Sequence, residues 1–363
     1  MATYYAAHNA AGGGAGTIGS PFTLAELAAA VTAGNVGLLM ATGTYAPSAT
    51  TTFANSGTVT SRVQIRGCAS DGTDNGTIAT ISGASLGGGV HGLTVSGSYI
   101  DFANLLVTGC PGTGVHSSGA NNRYRNLRAT NSANGFTQVD FTEHSEFFEC
   151  ELDNNVGYGY GGTFSSRGSG LFRRCAIHDN GSYGARVAVY GTVESSLVYR
   201  NGSHGLIPSL DSSGGTQLVV AKSTIYGNAG NGIDLVAGTI YPTFLLQLSI
   251  VAGNTGYGLD LNGTNSAIVQ IVRCGFHGNT SGALDTGSLP SDCVTTDPSF
   301  ASTTAGAEDF TPSNTDYRSS VSPYQSGIGG TDYRWIGAIS PIGSGGGGSS
   351  TFNPFRSRVF GVS

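Results

Sequence analysis

The chain has 363 residues, room for one large domain or two small ones, with a net charge of −6 and only 10% charged residues. Gly is abundant at 59, yet 39% hydrophobic content with 16 Phe and 16 Tyr argues for a packed core over disorder. No basic run of the kind that tracks phosphates occurs, and no apolar stretch approaches the roughly 18 residues of a membrane span, so neither nucleic acid nor a bilayer interior is an expected partner.

The first residues, MATYYAAHNAAGGG, have no basic start and no apolar h-region, so no secretory signal is expected and assembly in a cytoplasm fits. The six Cys lack C-x-x-C pairing and read as reduced thiols, with no metal centre and no cofactor expected. Thr23 to Val31, TLAELAAAV, puts Thr23 and Glu26 at capping-box spacing ahead of an Ala/Leu-rich body, which predicts a short amphipathic helix closing the first coil of a strand-rich body. The stretches GLLMATGTYAP and SRVQIRGC then read as the first strands.

From residue 131 a turn phrase repeats: NSANG, NVGYG, NGSYG, NGSHG, NAGNG, NTGYG and a shortened NTSG. Their leading Asn residues are 24, 25, 21, 27, 26 and 25 apart, and GCPGTG at 109–114 is a degenerate earlier member. Such periods signal a solenoid. Eight positions before the Asn lie Phe147, Phe172, Val193, Val220, Leu246 and Ile271; three before lie Leu152, Ile177, Val198, Ile225, Val251 and Phe276. Between them falls a small column, Cys150, Cys175, Ser196, Ser223, Ser249 and Cys274. Period-2 patterning on both sides of the turn means strands, and strands too short to bury their own faces must stack on their equivalents. The prediction is all-β: a single-stranded right-handed parallel β-helix with a short N-terminal capping helix and an irregular C-terminal cap and tail. Asn and Gly suit the corner because the chain turns there through positive φ, and stacked Asn side chains can hydrogen-bond along the ladder. The boundaries read as 1–60 for the N-terminal strand and helix cap, 61–287 for about nine coils, 288–341 for the C-terminal cap, and 342–363 for a Gly-rich linker and tail.

The opening YYAAHNAAGGGAGTIGSPFTLAELAAAV with its later GTY resembles the start of pectate-lyase-like right-handed β-helix proteins, and DPSF, SSVSPYQSG and WIGAISP are similar to the closing segment of that group. That superfamily includes lyases, hydrolases, adhesins and viral appendages, so the resemblance implies a fold and leaves the activity open. This ending with a Gly-rich tail resembles bacteriophage virion components. What the resemblance implies is a non-enzymatic structural protein of a phage particle, a capsid decoration, head spike or short tail spike. It would be located in the virion, assembled as a homo-oligomer such as a trimer, and joined to other virion proteins. Phe352, Phe355 and Phe360 with Arg356 and Arg358, hung on GSGGGGSS, suit docking into a partner's groove.

Three groups of side chains invite chemistry. Asp234 and Asp260, two positions after the closing Gly of neighbouring coils, would stand about one coil spacing apart, near the roughly 5 Å of retaining glycosidases. They are the candidate catalytic pair if the protein is instead a polysaccharide-degrading enzyme, a depolymerase of hydrolase or lyase type; a solvated Asp pair is the plainer account. The outward column Asp153, His178, Tyr199 and Tyr226 offers a sugar-binding strip that could contact host surface polysaccharide, against ordinary stacking between coils. Asp140, Glu143, Glu146 and Glu149 with His144 form an acidic stretch, for which ion pairing with Arg173 and Arg174 of the next coil is simpler than a cation site. The Ca²⁺-plus-Arg constellation of pectate lyases has no counterpart that the sequence locates.

Overall fold

Phe172, Val193, Val220, Leu246 and Ile271 stand in one file, paired residue by residue through successive parallel strands. The computed structural model describes residues 1–139, 144–163, 170–187, 190–208, 217–235, 243–262, 269–305, 308–314, 317–319 and 334–335. Three ladders run its length. The first face begins with Thr3–Ala6, which pairs in parallel with Val36–Met40, and that strand with Val63–Cys68. Stacking therefore starts well before residue 61. The second face carries the Leu152, Ile177, Val198, Ile225, Val251, Phe276 file. Single strands Ile100–Thr108 and Arg123–Thr130 serve both faces, which fuses them into one 19-stranded sheet. The third face is a separate ten-stranded sheet built from the residues after each turn phrase. The fold is a right-handed parallel β-helix.

Inside, like sits on like. Phe102, Tyr124, Phe147 and Phe172 stack at 5.5, 5.0 and 4.6 Å between ring centroids, each pair nearly parallel, and all four are buried. Such ring pairs contribute about 0.5–1.5 kcal/mol each beyond their buried area. The Cys and Ser column also points inward: the amides of Cys175, Ser196 and Ser223 donate to Ser196 Oγ, Ser223 Oγ and Ser249 Oγ of the next coil.

The corner between second and third faces is held by amides. Asn155, Asn180, Asn201, Asn228, Asn254 and Asn279 are in register, and each Nδ2 donates to the next Oδ1 at 2.8–2.9 Å. Each Oδ1 also accepts the preceding Asn's backbone N–H, and each Nδ2 also reaches a backbone carbonyl of the preceding coil, Ile177 O for Asn201. Positive φ does not fall on these Asn. It falls on the residue before them, Asn154, Asp179, Arg200, Gly227, Gly253 and Gly278, and again at the bend between first and second faces, at Glu149, Arg174, Ser195, Lys222, Leu248 and Arg273. The closing Gly of the phrase has a different reason: a Cβ on Gly184 would lie 2.7 Å from Gly205 O of the next coil. Close approach, not handedness, demands it.

The helix α1, Leu24–Ala30, has the expected reciprocal cap: Glu26 N donates to Thr23 Oγ1 and Thr23 N to Glu26 Oε2. Leu24, Leu27 and Ala28 bury its inner side over the first coil. At the other end Val294 adds to the second face beside Gly275. The chain then lies against the outside of that face, where Phe300–Ser302 and Asp309–Pro312 pair antiparallel and Phe310 and Tyr317 are buried.

Candidate functional site

The Asp153, His178, Tyr199, Tyr226 file exists as expected, each residue opposite the next. Its outer side is not open. Tyr199 is 5% exposed, with Phe310 at 4.9 Å, and Tyr226 packs edge-on against Phe300 at 5.5 Å. The returning C-terminal segment has covered the aromatic strip, so the two Tyr act as core of the cap and not as a platform for sugar. Cap segments carry no period, and nothing in the repeat announces where they will lie.

Asp153 and His178 belong to a buried charge network. Arg128 holds Asp153 through Nε at 2.8 Å and Nη2 at 2.6 Å, and Thr130 and Asn154 add hydrogen bonds to the same carboxylate. His178 stacks on Tyr199 at 4.5 Å and meets Asp179 through Nδ1 at 2.8 Å and Glu151 through Nε2 at 3.2 Å. Arg200 clamps Asp179 from the next coil and reaches Glu308 of the cap. Burial opposes a charge on His178, but Asp179 and Glu151 outweigh it and raise the imidazole to about 9. Glu151, Asp153 and His178 have ligand atoms within 4.8 Å of one another, a spacing that suits a metal ion. The chemistry does not fit one: Asp153 is already saturated by a guanidinium and two further donors, and His178 is held protonated. The acidic stretch resolves in the same way where it is described, with Arg174 3.8 Å from Glu149 and Arg123 3.1 Å from Glu146. Asp140 and Glu143 lie outside the described residues, as do Phe352, Phe355, Arg356, Arg358 and Phe360.

The third face is built differently. Asp234 and Asp260 are in register there, and the pairing of Leu259 with Leu284 puts Asp285 next in the file. Asn231 Nδ2 donates to Asp260 at 2.7 Å, Asn262 Nδ2 to Asp234 at 2.5 Å and Asn262 N to Asp260 at 2.9 Å. His204 Nδ1 lies 3.2 Å from Asp234 Oδ2 and 3.1 Å from the Asn231 amide. A neutral ring accepts the amide, and a protonated one donates to the carboxylate. Burial raises the Asp260 carboxyl above its ordinary range, with Asp285 and Asp234 adding to the shift against the hydrogen bonds from Asn262 and Asn231. An acid beside a base at one coil spacing is the pairing that glycosidic chemistry uses.

Further toward the N-terminus, Tyr158 and Tyr183 stack at 5.2 Å with planes 7° apart. The Tyr158 ring lies over Gly161, where a Cβ would stand 2.5 Å from it, and Tyr158 Oη meets Thr137 Oγ1 at 2.9 Å. Both Tyr are partly exposed. They occupy the position before the closing Gly, the column that continues with His204, Asn231 and Tyr257. The signal is present in NVGYG and NGSYG, inside a phrase whose residues read as turn geometry alone.

A family profile described as a right handed beta helix region matches residues 54–216. No curated protein matches the chain in sequence. Among solved structures, that of the pectate lyase Pel9A is similar at a TM-score of 0.70 and 18% identity, covering 94% of this chain and 97% of its own. A rhamnogalacturonan lyase is similar at 0.54 and 16% identity, over 78% of this chain and 75% of its own. XylC, solved in complex with xylose, is similar at 0.54 and 8% identity, over 82% and 87%. At these identities the likeness concerns the fold.

Proposed function

We propose that this protein is a rigid β-helical appendage of a bacteriophage particle, attached through its C-terminal tail, and that its third face contacts an extended surface polysaccharide. The observation that carries the glycan contact is the Tyr158–Tyr183 stack leading along one file of coils into the His204, Asn231, Asp234, Asp260 cluster. Aromatic faces supply sheltered apolar surface for sugar rings, and amides and carboxylates take up hydroxyl groups. The second face, which the sequence favoured for this role, is occupied by the chain's own cap. Support for attachment comes from the sequence: a Gly-rich segment followed by TFNPFRSRVFGVS, whose three Phe and two Arg suit a groove on a partner.

The test has two arms. Full-length protein is assayed for retention on immobilised bacterial surface polysaccharide alongside Tyr158→Ala and Tyr183→Ala, each expected to weaken retention about tenfold, in the range of stacking contacts. Unchanged retention in both variants removes the glycan reading. Protein lacking residues 342–363 is expected to fold and to lose binding to particles. Binding that persists removes the docking role.

A second reading has its own observation. Asp234 and Asp260 are in register and Asp260 is raised, so the same face has the elements of a glycosidase: Asp260 as proton donor to the leaving oxygen, Asp234 as base or nucleophile. Release of reducing ends from the retained polysaccharide, abolished by Asp234→Asn and by Asp260→Asn, would establish it.

A further inference from the structure

Among the described residues, Arg186 differs from the arginines that are paired with carboxylates between coils. Arg128, Arg173, Arg174 and Arg200 each reach a carboxylate of a neighbouring coil. Among the described residues Arg186 is in no ion pair, and its Nε is shielded from solvent with no hydrogen-bond acceptor. A guanidinium N–H withdrawn from water and left without an acceptor is costly unless something external completes it. Arg186 stands in the outward file of the third face, opposite Ile207, which offers no acceptor. It is close enough to Tyr183 to pull against the burial that lifts that hydroxyl to about 12. The file continues from Ile207 to Asp234, Asp260 and Asp285. Arg186 and Asp234 are thus two coil spacings apart, about 10 Å.

We propose that Arg186 is an anion subsite that takes the carboxylate of an acidic sugar, within a polysaccharide whose neighbouring residues over the Asp rungs are neutral. The proposal rests on the reading of the third face as the glycan surface and adds the substrate class. A planar guanidinium holds a carboxylate through two parallel N–H donors, one of them the Nε–H that has no acceptor among the described residues. Tyr183 flanks it and can seat the ring that carries the acid. The Asp ladder sets the second half of the rule: a polymer with a carboxylate on every sugar would bring like charges onto Asp234, Asp260 and Asp285, so sparse acidity is selected.

The Arg186 Nε–H resonance, assigned by its loss in Arg186→Gln, reports the site directly in full-length protein. Methyl glucuronide is expected to shift it in a saturable way, methyl glucoside to leave it in place, and Arg186→Gln to weaken glucuronide binding at least tenfold. Absence of a saturable shift overturns the proposal. Acetate and inorganic phosphate form a second arm, and shifts equal to that of methyl glucuronide at equal concentration overturn the sugar assignment. Polygalacturonate forms a third: tighter binding per carboxylate than the monomer overturns sparse acidity. If the Tyr158 and Tyr183 variants lose glycan retention while Arg186 ignores the glucuronide, only this inference fails. If retention is indifferent to both Tyr, the glycan reading fails whatever Arg186 does.

Discussion

Tyr317 is seated on Gly275 so closely that a Cβ at position 275 would lie 2.2 Å from its ring, and the ring is wholly buried with its hydroxyl donating to Thr296 O at 2.6 Å. The ring has nowhere to move. Gly275→Ala is therefore expected to lift the cap from the second face at a cost of about 1–3 kcal/mol, as overpacking of tight sites does. Limited proteolysis should show faster cleavage between residues 288 and 319, with the coils intact. Equal cleavage rates in variant and parent would mean that the contact does not hold the cap.

The Asn corner makes a second prediction. Asn201 accepts from Asn180 and donates to Ile177 O and Asn228 Oδ1, all out of reach of water. Asn201→Ala strands several buried groups and should cost about 3 kcal/mol. Asn201→Asp keeps the shape but loses two donors and buries a charge, so it should be worse near neutral pH and partly recover in acid. Denaturant midpoints at pH 4 and pH 7 measure both effects.

The charge network beneath the cap predicts a pH dependence. His178 is raised to about 9 from 6.5, so its stabilisation is complete below about pH 6.5 and fades as pH climbs through 9. Asp179 moves the other way: burial opposes its charge, but Arg200 and His178 lower its pKa, and that contribution is lost in acid. Stability should be highest between about pH 4 and 6.5 and decline by up to about 3 kcal/mol toward pH 9. His178→Gln should flatten the alkaline limb. A limb of unchanged slope would assign the loss elsewhere.

The thiols give a fourth. Burial pushes Cys274 to about 12 and Cys175 well above its ordinary value. Neither should react with a thiol reagent at pH 8 while the chain is folded, whereas Cys293, which is only partly buried, should react first. Mass spectrometry after brief alkylation distinguishes them. Modification of Cys175 in the folded protein would show that the coils open locally.

The columns through Phe172, Val193 and Val220 are legible because stacking forces equivalent residues to share one environment, and shared environment writes periodicity into sequence. The Asp234–Asp260 register obeys the same logic. The covering of Tyr199 by Phe310 is not legible, since the cap is used once and leaves no period to read. Nor is the left-handed backbone at Arg200 and Arg174: the corner geometry imposes it through hydrogen bonds made on either side, and neither residue type signals it. The Tyr158–Tyr183 pair is visible in the sequence but masked, since a residue inside a turn phrase is easily credited only with turning.

Every side-chain amide at the Asn corner gives one proton to the next Asn and the other to a carbonyl of the coil before, and each coil presents the next with the same donor and acceptor it received. A rung is consequently interchangeable: one spliced in between Gly205 and Gly232, or removed there, would meet matched partners above and below. Length is the dimension in which this architecture can change without redesign, and the extent of the Tyr158–Asp260 face would be set by counting rungs.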